Sequence, residues 1–179
     1  MNAGTRFNLL LTHERPHGGE HWTAQLPRLL GPQGVGSYVV STGRDAIDVA
    51  ERTPIHAAVI DLGTPPGEGH DWAMGPGPAS AGPGGLWLLK LLLRLPNRPP
   101  VVLLRKPAYS RRQAERLLRE ALSLGAFSVL QKPVQMEELL AVFQRLVDRK
   151  YSGAWPGPSR ASAPKDPFTF RSGSTDQPL

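Results

Sequence analysis

Two short runs constrain the fold of this chain more than anything else in it: Ala57-Ala58-Val59-Ile60-Asp61 and Val129-Leu130-Gln131-Lys132-Pro133. Each is an apolar run with a β-branched core, ending in one charged residue followed by loop formers. Runs of this kind read as strands buried on both faces of a parallel sheet. In an open α/β sheet the carboxyl ends of such strands form the ligand crevice, so Asp61 and Lys132 are expected to face each other there. A lone carboxylate beside a lone ammonium at such an edge is a place to put or sense a phosphoryl group.

The rest of the chain supplies the other units of such a sheet. Residues 7–11 read as a first strand, and a His- and Gly-rich loop leads to a helix over residues 21–30 that tolerates Pro27 and stops at Gly31-Pro32. Residues 37–40 form a second strand. Ser41 or Thr42 caps a helix over 44–52, ended by Pro54. A Leu-rich helix over 86–95 carries only Lys90 and Arg94 as a polar stripe, with Trp87 beside it, and its apolar girth predicts burial. Residues 99–104 form a fourth strand. Ser110-Arg111-Arg112-Gln113 is a capping box that opens a fourth helix, with Ala114, Leu117, Leu118, Ala121 and Leu122 as its buried stripe and Gly125 as its stop. A fifth strand covers 127–131. The fifth helix covers 135–150, with Met136, Leu139, Leu140, Phe143 and Val147 at helical spacing. The order is five βα units with right-handed crossovers.

Two segments fall outside this pattern. Residues 63–85 are dominated by Gly and Pro, with Trp72 and Met74 as their large apolar residues, and read as a loop inserted into the domain. Residues 151–179 lose all periodicity and read as a disordered tail. The domain therefore spans 1–150.

Composition excludes several classes of chemistry. There is no cysteine, so disulfides, thiolate nucleophiles and thiolate metal sites are out. The apolar stretch at 7–11 is too short for a signal peptide, and the Leu-rich run is too short and too charged to span a bilayer. A cytoplasmic location is the expectation. The net charge of +6 is concentrated between Arg94 and Arg119, where eight cations face Glu115 alone. Such a zone suits an acidic protein surface or nucleic acid, although no aromatics interleave with the arginines of the fourth helix, which counts against a stacking nucleic-acid face. His13, His17 and His21 lie near Glu14 and Glu20, but Gly18-Gly19 breaks any helix that would gather them on a metal. No nucleophile–base pair or cofactor loop is present, so no enzyme is expected.

Asp61, Pro65 four residues on, Gly85-Leu86, Gly125-Ala126 and Lys132-Pro133 together give the chain a resemblance, over roughly residues 6–150, to the receiver domain of two-component response regulators. That resemblance implies a flavodoxin-like, doubly wound (βα)5 fold, a five-stranded parallel sheet of order 2-1-3-4-5. In that family the aspartate accepts a phosphoryl group from a histidine kinase. The lysine contacts the phosphoryl oxygens, and a magnesium ion sits on an acidic pair after the first strand. By carry-over Asp61 is the candidate phosphoacceptor and Lys132 its cationic partner. The Gly/Pro segment adds about 16 residues relative to the family pattern.

The departures from the family run in one direction. The acidic pair falls at Thr12-His13, and a register slip to His13-Glu14 recovers one carboxylate. Magnesium is usually bound through one or two carboxylates plus phosphate oxygens, so the acidic pair is lost and no metal is expected. The small hydroxyl residue at the end of strand four is replaced by Arg105, and the aromatic switch residue of strand five by Val129. Arg105 is expected to fork onto Asp61, an attraction of about 4 kcal/mol at about 4 Å and an effective dielectric near 20, before desolvation. His13, Glu14, Arg105 and Lys132 would then line the pocket. The implied function is an atypical receiver that signals by docking to a protein partner, a histidine kinase or a downstream effector, through Arg111, Arg112, Arg116 and Arg119, with a homodimer also open. Two other readings stay open: a phosphorylation-competent receiver that uses Glu14 for metal, and a basic nucleic-acid-binding module.

Overall fold

The computed structural model describes residues 7–13, 22–67, 84–107 and 110–151. The chain alternates strand and helix: β1 (Phe7–Thr12), α1 (Trp22–Leu30), β2 (Val35–Val40), α2 (Gly43–Arg52), β3 (Ala57–Asp61), α3 (Gly84–Leu92), β4 (Val101–Arg105), α4 (Arg111–Leu124), β5 (Ser128–Gln131) and α5 (Met136–Tyr151). All strand pairs are parallel, in the order β2-β1-β3-β4-β5. This is the doubly wound sheet expected from the runs ending in Asp61 and Lys132. Glu14, His17, His21, most of the Gly/Pro segment and residues 152–179 lie outside the described residues.

Side-chain alternation along the strands builds a separate core on each face of the sheet. Leu9, Leu11, Val59, Val102, Leu104 and Leu130 pack with α1 and α5. Leu10, Ala58, Ile60, Val101 and Leu103 pack with α2, α3 and α4. The central strands are buried on both faces, which is why their sequences read as unbroken apolar runs. Each fully buried Leu, Ile or Val contributes about 1.5–3 kcal/mol relative to exposure.

The helix ends follow their capping residues. The Thr42 hydroxyl accepts from the Asp45 N–H at 3.1 Å to open α2, and Ser110 with Gln113 forms the capping box of α4. Gly125, at φ +103°, closes α4 in the left-handed region that disfavours side chains.

Two sequence expectations shift. Helix α3 begins earlier and ends sooner than the periodicity implies, because Gly84 and Gly85 sit against the loop after β3: a Cβ on Gly85 would lie 2.6 Å from the Leu62 Cα. Trp87 is half-buried, its ring 2.9 Å from where a Gly43 Cβ would be. Helix α4 is rotated relative to its expected stripe. Leu117 and Ala121 are buried, whereas Leu118 and Leu122 are 40% and 47% exposed.

A polar clasp closes the edge of the sheet where the strands begin. The Asn8 N–H donates to His56 Nδ1 at 3.0 Å, and the His56 N–H donates to the Asn8 carbonyl at 2.8 Å. The Tyr151 hydroxyl donates to the His56 carbonyl, and the His56 ring stacks on Phe7 with centroids 5.2 Å apart. Burial lowers the His56 pKa and raises that of Tyr151. An Nδ1 that accepts a hydrogen bond must be unprotonated. With the folded pKa below the unfolded value, the unfolded chain binds the extra proton, so this contribution is complete above about pH 6.5 and is lost as pH falls toward the folded pKa. Denaturant midpoints measured between about pH 7.5 and about pH 5 should therefore fall more steeply for the natural chain than for His56→Asn, which keeps an acceptor without titrating. Parallel curves would remove the clasp from the account.

Candidate functional site

Strand β3 delivers Asp61 to the carboxyl edge of the sheet, and β5 delivers Lys132 next to it. Asp61 is fully buried and Lys132 is 7% exposed. The Lys132 ammonium donates to Asp61 Oδ2 as a buried ion pair across 71 residues of sequence. The Gly63 N–H donates to Asp61 Oδ1 at 2.9 Å. Both carboxylate oxygens are thus engaged, one by a full charge and one by a backbone dipole.

The backbone around Asp61 is fixed as firmly as its side chain. Its N–H donates to the Thr12 hydroxyl at 3.1 Å, and its carbonyl accepts from the Thr64 N–H at 3.0 Å. The Thr12 and Thr64 hydroxyls share a hydrogen bond of 2.7 Å, and both residues are buried. The loop after β3 is held from the other side by α2, whose Gly43 and Arg44 N–H groups donate to the carbonyls of Pro65 and Pro66, each at 2.8 Å. Those two groups are orphan donors of a helix start, so the loop and the helix satisfy each other. The Lys132 N–H donates to the Arg105 carbonyl at 2.9 Å, and the Lys132–Pro133 peptide is cis.

The expected fork of Arg105 onto Asp61 is not formed. Among the described residues the ion pair on Asp61 comes from Lys132, and Arg105 makes none. Strand parity gives the reason. Leu103 packs on the α2–α4 face, so Arg105 leaves the sheet on that side, whereas Asp61 follows Val59 and Lys132 follows Leu130, both on the α1–α5 face. Val129 is half-buried and packs on the same face as Leu103. His13 follows β1, half-buried, with its N–H donated to the Val40 carbonyl. Arg111, Arg112, Arg116 and Arg119 are all exposed along α4, where Arg111 pairs with Glu115 at 3.2 Å.

The Thr12–Thr64 pair was missed as a unit, since nothing in sequence spacing links residues 52 apart until the sheet order is known. Lys106 was also missed. With Gly84 and the loop over residues 62–66 it lines an open cavity of about 320 Å³ beside the pair. The candidate metal ligand Glu14 lies outside the described residues. Magnesium takes oxygen ligands in octahedral geometry, including carboxylates. The side-chain oxygens that the described residues bring together here are two threonine hydroxyls bonded to each other and a carboxylate paired with an ammonium.

Breaking a buried ion pair leaves one uncompensated charge and costs about 3–5 kcal/mol. Lys132→Met is expected to lower the unfolding free energy by about that amount at neutral pH, and adding Asp61→Asn should recover most of it. A single-variant loss below about 0.5 kcal/mol in denaturant unfolding would show that the two groups are not partners.

No protein-family model matches the sequence, and no curated protein does. Solved structures do resemble the fold. A response regulator receiver domain from Clostridium thermocellum is 16% identical, with a TM-score of 0.59 over 82% of this chain and 98% of that one. The receiver domain of the Francisella response regulator 1452 is 19% identical, with a TM-score of 0.58 over 80% and 98%. The chemotaxis response regulator CheY4 of Vibrio cholerae is 17% identical, with a TM-score of 0.57 over 79% and 99%. The chain therefore has the receiver fold.

Proposed function

We propose that this chain is an atypical receiver module of two-component-type signalling, one that works by docking to a partner protein while its acidic pocket stays in a single phosphate-free state. The observation that carries this reading is the state of Asp61: buried, ion-paired to Lys132 and hydrogen-bonded at its second oxygen by Gly63. Transfer of a phosphoryl group to a carboxylate must overcome repulsion between two anions, which a divalent cation ordinarily offsets. At this corner the Thr12 and Thr64 hydroxyls hold each other, and the Lys132 ammonium is already bound to the acceptor.

Docking is supported by the face of α4. Arg112, Arg116 and Arg119 are exposed along it, and the uncovered Leu118 and Leu122 stand one turn apart. Apolar side chains among arginines suit an acidic, amphipathic protein surface, where arginine and a buried apolar anchor are the groups that carry affinity. No helix among the described residues is long and apolar enough to cross a membrane. No catalysis is assigned to the module.

Incubation with acetyl phosphate and magnesium, read by intact mass, tests the pocket. No phosphoryl adduct is expected under conditions that label a competent receiver fully. Robust labelling abolished by Asp61→Asn would overturn the locked pocket and favour a phosphorylation-competent receiver.

A further inference from the structure

The edge of the sheet opposite Asp61 carries a second constellation of charge. Residues 98–100, just before β4, and residues 125–127, just before β5, line a cavity of about 570 Å³ with the last turn of α5. Its cations are Arg98, Arg149 and Lys150, and no carboxylate lines it. None of the three makes an ion pair among the described residues. The nearest acid in sequence, Asp148, accepts instead from the Gln144 side chain at 3.0 Å.

The negative end of α5 accounts for part of this charge. A helix carboxyl end carries only about half an elementary charge, so a clear positive excess remains. Arg98 also needs an explanation of its own. It is the described non-glycine residue with positive φ, at +38°, and it precedes Pro99, which restricts it further. The turn is held by the Arg98 N–H on the Leu95 carbonyl at 3.1 Å and by Asn97 Nδ2 on the Ile55 carbonyl at 2.7 Å. Glycine would hold the same turn without strain, whereas arginine there is strained. Arg98 nevertheless holds this turn and lines the cavity.

We propose that this cavity binds a small organic phosphate, with the phosphate on Arg98, Arg149 and Lys150 and an apolar, planar body on Phe127 and the buried Pro99–Pro100 wall. Three cations lining one cavity match the charge of about −1.5 to −2 on a phosphate monoester at neutral pH better than that of a monocarboxylate. The volume exceeds what inorganic phosphate needs and lies within the range of about 300–1,000 Å³ typical of small-molecule sites. Strand β5 separates the cavity from Lys132 by about 16 Å, counting five residues at about 3.3 Å each, so this site is distinct from the Asp61 pocket.

Adenosine monophosphate is a suitable probe, titrated into the isotopically labelled full chain with amide shifts as the readout. Saturable shifts are expected at Arg98 and at residues 125–127. Arg98→Gly, which keeps the turn while removing the guanidinium, and the double variant Arg149→Gln with Lys150→Gln should each weaken binding about tenfold or more. Adenosine alone and inorganic phosphate alone should each bind at least about tenfold more weakly. Three results would overturn the proposal: no saturable shift up to about 5 mM, shifts confined to the Asp61–Lys132 edge, or an affinity unchanged by both sets of substitutions. Adenosine binding as tightly as the nucleotide would remove the phosphate from the assignment, and inorganic phosphate doing so would remove the organic body.

Discussion

A fully buried carboxylate cannot stand alone, and that constraint organises the upper edge of this molecule. Moving Asp61 out of water costs several kcal/mol in desolvation, which the structure offsets with one ammonium and one backbone N–H. Because the ammonium comes from the end of β5, the pair also ties the centre of the sheet to its edge strand. The loop after β3, the start of α2 and the start of α3 then close around the aspartate. Each supplies or satisfies backbone groups that would otherwise be buried without partners. Gly85 permits this closure, since any side chain there would collide with the backbone of Asp61 and Leu62.

Two buried hydroxyls complete the hydrogen bonding beside Asp61. Thr12 spends its hydrogen bonds on the Asp61 backbone and on Thr64. A neutral, mutually satisfied hydroxyl pair stabilises the backbone at this corner. Rigidity here therefore comes from completed hydrogen bonding, in a region where low dielectric makes each unmet group costly.

The sequence carried the sheet clearly, because strands buried on both faces leave an apolar signature that ends abruptly at Asp61 and Lys132. It also carried the capping residues Thr42, Ser110 and Gly125, whose effects are local. It was less informative wherever tertiary contact chose among local options. Helix α4 contains enough leucines for two faces, and only packing against the sheet decides that Leu117 and Ala121 go inward while Leu118 and Leu122 stay out. Val142 and Leu146 of α5 likewise belong to the core although a narrower stripe left them aside. The displacement of Arg105 from Asp61 was recoverable in principle. Strand parity alone puts Arg105 with Leu103, but proximity in the family pattern is a weaker guide to where a long side chain goes than the pleat that launches it.

The same pleat divides what looks in sequence like one basic zone. Between Arg94 and Arg119 the positive charge is continuous along the chain, yet β4 runs through its middle and carries its parts to different places. Arg98 precedes the strand and lies at one edge of the sheet, whereas Arg105 and Lys106 end it at the other. Arg111 to Arg119 line a helix on one face. A continuous cationic groove of the kind that tracks a nucleic-acid backbone would need these groups on a common surface. Three separate groups of charge, each with its own geometry, fit three discrete anionic contacts better than one long polyanion. For a chain of this fold, charge counted along the sequence is therefore informative only after each strand has assigned it to an edge.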